Sequence, residues 1–184
     1  MDKISEVRAA KLATRFAQHD VDGDGFIDQN DYRQLARRLG EGLGASAVLQ
    51  EEIAAGFAEQ WTQLAALADV DHNGQVSLAE YTHAMGAGIS ADSAALERAV
   101  LATSRAALRA ADSDGDGYLD LADYLRLAEL LKVPGAQEGF HALDTDGAGR
   151  LRTEVVLAAV HDFYVSDDPD NPANLVFGRP ESTP

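Results

Sequence analysis

One twelve-residue spacing of oxygen-bearing side chains occurs three times in this chain, beginning at Asp20, Asp69 and Asp112. The first copy puts Asp20, Asp22, Asp24, Asp28 and Asp31 at positions 1, 3, 5, 9 and 12, with Gly25 at position 6 and Ile27 at position 8. The second uses Asp69, Asp71, Asn73, Ser77 and Glu80 with Gly74 and Val76. The third uses Asp112, Asp114, Asp116, Asp120 and Asp123 with Gly117 and Leu119. A single Asp/Gly stretch is no more than a turn, because both residues favour turns for local reasons. Three copies in frame are a repeat. Apolar residues flank each copy at helical spacing: Phe16, Ala65 and Leu108 before, then Tyr32, Tyr81 and Tyr124 after, followed by Leu35, Ala84 and Leu127 and by Ala36, Met85 and Ala128. Each copy therefore reads as helix, loop, helix.

The pattern resembles the EF-hand calcium loop. Calcium is a hard cation that takes six to eight oxygen ligands at roughly 2.3–2.6 Å. A short chain surrounds it only if alternate side chains point inward while the backbone curls, which positions 1, 3 and 5 supply. Position 6 turns with backbone angles that glycine adopts without steric penalty. Position 7 offers a backbone carbonyl, so its identity is free, and Phe26, Gln75 and Tyr118 sit there. Position 9 ligates directly or through water, and position 12 closes the shell from the exit helix. Three calcium sites are expected, with those eighteen residues as ligands.

A fourth copy, Asp144 to Val155, keeps positions 1, 3, 6 and 8 as Asp144, Asp146, Gly149 and Leu151. It has Ala148 at position 5 and Arg152 at position 9, and Glu154 falls one residue out of register, about 100° around the exit helix. This loop is expected to bind no calcium. EF-hands work in pairs joined at position 8, so the resemblance implies bridges between Ile27 and Val76 and between Leu119 and Leu151. The damaged hand is then a structural partner of the third. Gly23 to Ala36 (GDGFIDQNDYRQLA) and Gly115 to Ala128 (GDGYLDLADYLRLA) match at an offset of 92 residues, an internal duplication.

The expected fold is all-α, with four hands in two pairs packed as one helical domain and short β-bridges between paired loops. Residues 1–88 form the first pair, 89–162 the second, and 163–184 a tail that packs on the hands. The chain's 184 residues suit that size. The best boundary candidate is Gly86 to Ser93, ending on Asp92 or Ser93 as a helix cap. A second connection spans Gly40 to Ser46. The tail carries Pro169, Pro172, Pro180 and Pro184, but Phe163, Tyr164, Leu175, Val176 and Phe177 are too apolar for an inert end.

The net charge is −16, and loops one to three hold 13 of the 31 carboxylates. Crowded carboxylates repel until a cation arrives. The acidity argues against nucleic acid and anionic membranes as partners. There is no cysteine, hence neither disulfide nor thiol chemistry. The segment Met1 to Arg8 lacks an apolar signal core, and no apolar run is long enough to span a bilayer. A cytoplasmic monomer is expected. Arginine outnumbers lysine 12 to 3, as in proteins of GC-rich bacterial genomes.

With these loops and the apolar tail, the chain resembles the sarcoplasmic calcium-binding proteins and their bacterial relatives of the calerythrin type. The resemblance implies a compact helical protein with three active hands that buffers or transports calcium. In the calerythrin type the inactive hand is usually the second; here the second is intact and the fourth is damaged. The alternative is a sensor that exposes an apolar surface and regulates a protein partner. Sensors favour methionine-rich grooves, and this chain has only Met1 and Met85. Loops 20–31 and 112–123 end in aspartate, one methylene shorter than glutamate, and are expected to admit magnesium as well, which prefers a smaller shell at about 2.0–2.1 Å. Glu80 is expected to make loop two the more calcium-selective. The scaffold also resembles that of the coelenterate photoproteins. Only Trp61 and five scattered histidines, His19, His72, His83, His141 and His161, are on hand, and no nucleophile elbow, phosphate loop or zinc motif is present. No catalytic role is expected.

Overall fold

The computed structural model describes residues 5–86 and 93–178. The boundary candidate between Gly86 and Ser93, including the proposed cap Asp92, lies mostly outside the described residues. Eight helices are found among them: α1 (Glu6–His19), α2 (Gln29–Gly42), α3 (Ala47–Ala68), α4 (Leu78–Gly86), α5 (Ala94–Ala111), α6 (Leu121–Leu130), α7 (Ala136–Leu143) and α8 (Thr153–Val165). Four three-residue strands lie between them: β1 (Phe26–Asp28), β2 (Gln75–Ser77), β3 (Tyr118–Asp120) and β4 (Arg150–Arg152). The fold is all-α, with only these short antiparallel ladders.

The ladders pair loops as position 8 requires. In β1–β2, Ile27 faces Val76; in β3–β4, Leu119 faces Leu151. All four of these side chains are fully buried or nearly so. Each ladder thus pins two loops together while its central residues plug the core between four helices.

Capping shows why the helices stop where they do. Ser5 and Ser46 accept the Arg8 and Leu49 backbone N–H groups at the starts of α1 and α3. Ser93 stands at the N-cap of α5, as one of the two expected residues. The connection after α2 is shorter than the expected Gly40 to Ser46, because the helix continues through Gly42. Both glycines serve close packing. A Cβ on Gly42 would lie 2.4 Å from Leu130 of α6, and one on Gly40 would lie 3.0 Å from Gln50 of α3. Beyond the cap residue Leu43 the chain turns at Gly44, whose left-handed backbone (φ +64°) lets Ala45 N–H reach Gly40 C=O and Gly44 N–H reach Glu41 C=O.

One apolar core runs through both pairs. Ile53, Phe57, Trp61 and Leu64 of α3 join Leu96, Val100, Ala107 and Leu108 of α5, with Tyr32, Tyr81 and Tyr124 from the exit helices. The crossing of α3 over α5 is tight at Gly56, where a Cβ would sit 2.4 Å from Thr103 Oγ1.

The C-terminal segment closes the structure. Helix α8 extends to Val165, so Phe163 and Tyr164 belong to the fourth hand's exit helix. After it, Pro172–Leu175 form a 3₁₀ turn, and Ala173, Asn174, Val176 and Phe177 are buried. They cover a polar face of α1. Lys11 Nζ donates to Ser166 C=O at 2.7 Å and to Asn174 Oδ1 at 3.1 Å. Gln18 Nε2 donates to Phe177 C=O at 2.7 Å, and the Arg15 guanidinium lies 3.9 Å from the centre of the Phe177 ring. Arg8 pairs with Asp167 at 2.9 Å.

Candidate metal centres

The loops are assembled by their own carboxylates. The position-1 aspartate does the same work in all four. Asp20 accepts the N–H groups of Gly23, Asp24 and Gly25 at 2.7, 3.1 and 3.0 Å. Asp69 accepts Asn73 and Gly74, Asp112 accepts Gly115 and Gly117, and Asp144 accepts Ala148 and Gly149. The loop backbone is therefore wrapped around one oxygen pair. The glycine at position 6 is left-handed throughout, with φ +89°, +82°, +85° and +72° at Gly25, Gly74, Gly117 and Gly149. Position 4 is left-handed too. Glycine fills it in three loops (Gly23, Gly115, Gly147), and His72 takes φ +58° in the second. The repeated glycine at position 4 is the signal that would have shown this in the sequence.

Position 5 is braced in the three intact loops. Asp24, Asn73 and Asp116 accept the N–H of Phe26, Gln75 and Tyr118 at 2.9, 2.7 and 2.8 Å. In the fourth loop Ala148 offers no oxygen there. Position 9 doubles as helix cap: Asp28, Ser77 and Asp120 accept the N–H of Asp31, Glu80 and Asp123. Arg152, its counterpart, makes no such bond.

Three groups of carboxylates converge among the described residues: Asp20, Asp22 and Asp24; Asp69, Asp71 and Glu80; Asp112, Asp114 and Asp116, each with one oxygen apiece within 4.8 Å of the others. Two oxygens on opposite sides of one calcium are about 4.6–5.2 Å apart. The oxygen-only donor set and this spacing fit calcium. Glu80 reaches its cluster, whereas the shorter Asp31 and Asp123 stand outside theirs, as do Asp28 and Asp120.

The position-12 groups also differ in setting. Asp31 is buried, and its two oxygens accept Val21 N–H at 3.0 Å and Asp28 N–H at 2.8 Å. Burial raises its pKa despite those bonds. Glu80 is pulled the other way, chiefly by the Ser77 N–H at 2.9 Å and then by the Ser77 hydroxyl at 2.8 Å. Asp123 has Arg126 Nη2 at 3.5 Å.

The family described as the EF-hand domain pair matches residues 9–86. A second family described in the same words matches residues 102–130. Sarcoplasmic calcium-binding protein 1 of Astacus leptodactylus is 26% identical over 180 residues, covering 91% of each chain. Calerythrin of Saccharopolyspora erythraea is 24% identical over 163 residues, covering 86% of this chain and 92% of its own. A Streptomyces coelicolor calcium-binding protein, whose structure is described as a basis for prokaryotic calcium-mediated regulation, superposes with a TM-score of 0.72 at 28% identity. It covers 88% of this chain and 99% of its own. The chain is an EF-hand calcium-binding protein resembling the sarcoplasmic calcium-binding protein and calerythrin family.

Proposed function

We propose that this EF-hand protein binds one calcium ion in each of loops 20–31, 69–80 and 112–123, and that it buffers or carries calcium in the cytoplasm as a monomer. Residues 1–88 and 89–165 act as two coupled pairs, the second extended to the end of α8, and the segment after α8 acts as their tail. The ligands are Asp20, Asp22, Asp24, Asp28 and Asp31; Asp69, Asp71, Asn73, Ser77 and Glu80; Asp112, Asp114, Asp116, Asp120 and Asp123; with the carbonyls of Phe26, Gln75 and Tyr118. Magnesium competes at loops one and three, where position 12 is aspartate, one methylene shorter than Glu80 of loop two.

The observation that carries the buffer reading is the occupied interior. Phe177 and Val176 fill the apolar surface between the pairs and are buried, so the chain itself covers what a sensor would present. The cavity beside them, lined by Arg15, Phe57, Gln60, Tyr124 and Phe177 among others, has a volume of about 60 Å³. Sites for drug-sized ligands run to roughly 300–1,000 Å³, so this cavity is too small to hold one. No described helix is long and apolar enough to cross a membrane.

Calcium titration by calorimetry, with and without magnesium, tests the reading: three sites are expected, with loop two least sensitive to magnesium. The Streptomyces likeness makes regulation of a partner the second reading. Its signature would be a calcium-dependent rise in binding of a hydrophobic dye, which a buffer does not give.

A further inference from the structure

Loops one and three carry the same side chain at every position that ligates through its side chain: aspartate at 1, 3, 5, 9 and 12. By ligand chemistry alone they are one site in two copies. Their surroundings are not alike. In the β3–β4 ladder Arg150 faces Asp120, and its Nη1 lies 3.4 Å from Asp116 Oδ2, the free edge of a position-5 carboxylate whose other oxygen accepts Tyr118 N–H. The guanidinium is held over the Tyr118 ring, 4.1 Å from its centre, a stacking that orients it towards the loop. In the β1–β2 ladder the same place, opposite Asp28, is taken by neutral Gln75.

A second guanidinium repeats the asymmetry. Arg126, at 3.5 Å from Asp123, also donates to Ala111 C=O at 3.0 Å. Its counterpart 92 residues earlier is Gln34, and Asp31 is satisfied by backbone N–H groups instead. Among the described residues no ion pair involves a loop-one carboxylate.

We propose that Arg150, supplied by the hand that has lost its own ligands, is a fixed counter-charge that weakens calcium binding at loop three relative to loop one. Two sites with one ligand set then fill at different calcium concentrations. The inference rests on loops one and three binding calcium. Its physics is Coulombic: an entering dication meets a positive charge already held against one of its ligands, and must share or displace it. The pair is about half exposed, with side-chain exposures of 50% and 43%, so the effect is that of an exposed ion pair, up to about fivefold in affinity, and is screened by salt. The fourth hand then has a role besides bridging: it brings a positive charge to its partner's loop.

The test is a calcium titration followed by amide NMR on the full chain. Gly25, Gly74 and Gly117 each donate to the position-1 carboxylate of their own loop, so each resonance reports one site. In the wild type Gly117 should shift at higher calcium than Gly25, and added salt should narrow the gap. Arg150→Gln should move the Gly117 midpoint to roughly twofold to fivefold lower calcium and leave Gly25 in place. Gln75→Arg, which builds the same charge beside Asp24, should move Gly25 to higher calcium. Midpoints that ignore both substitutions overturn the proposal. Should Gly25 and Gly117 fail to respond to calcium even in the wild type, the calcium reading itself falls and takes this inference with it.

Discussion

The first and third hands share a sequence pattern from loop to exit helix, yet the structure completes them by different means. The first is finished from outside. Its entering helix α1 buries Lys11, Arg15, Gln18 and His19, and most of their partners come from residues 164–177. The third is finished from inside the bundle, where α5 packs against α3 and α8 through Val100, Ala106 and Ala107. Similar loops therefore rest on unlike supports: one polar and distant in sequence, the other apolar and central. The lesson is that duplication copies local chemistry, while the environment of each copy is set by what the rest of the chain lays over it.

The largest expected consequence lies in that outside support. Phe177→Ala should cost about 3–5 kcal/mol in denaturant unfolding, as for a buried aromatic truncated in a core. Hydrogen exchange should show α1 losing protection before α5. Equal loss in both helices would erase the distinction. Next, Asp20→Ala and Asp112→Ala each remove the oxygen pair around which a loop is wrapped. Either should weaken its own site on the order of a hundredfold, about 2.7 kcal/mol, and lower the calorimetric stoichiometry by one. A smaller effect separates the two position-12 residues. Asp123→Glu should raise the preference for calcium over magnesium about tenfold. Asp31→Glu should give less, because it disturbs the bonds from Val21 and Asp28. Competition titrations with both ions measure the difference.

The last contrast is a pH slope. His19 is fully enclosed, its Nδ1 lies 3.3 Å from the Tyr32 hydroxyl, and burial, reinforced by Arg15, pushes its pKa well below the usual value. The folded protein keeps it neutral while the unfolded chain takes a proton near pH 6.5, so stability falls as pH drops through that value. The loss should reach about 1.4 kcal/mol at pH 5.5. His19→Gln should flatten that part of the profile. The matching residue of the third hand is Ala111, which contributes no such slope. A profile unchanged by the substitution would remove this contrast.

Much of this was legible in the residues. The loops and the helices around them follow from fixed spacings, because a twelve-residue loop leaves its backbone few alternatives, and the Ile27–Val76 and Leu119–Leu151 bridges from the resemblance to paired EF-hands. The expected packing of Val176 and Phe177 followed from their apolar character. What they pack against did not. Lys11, Arg15 and Gln18 recur at helical intervals, and nothing local to polar side chains signals burial; a segment over a hundred residues away encloses them. Gly40 and Gly42 read as a connection because glycine usually interrupts helices, whereas here their missing side chains admit Gln50 and Leu130. The pairing of Arg150 with Asp116 needs the strand register and then the stacking on Tyr118, and neither partner signals the other locally. The left-handed backbone of His72 was visible only by aligning it with Gly23, Gly115 and Gly147.

The fastening of α1 by Ser166, Asn174 and Phe177 bears on how the protein comes into being. The ribosome delivers that helix well before its cover. At roughly 5–20 residues per second, the interval between His19 and Phe177 lasts roughly 8–30 s. Until it ends, the enclosure of Lys11 and Arg15 is incomplete, so α1, made before the other described helices, is secured only after α8 has been made.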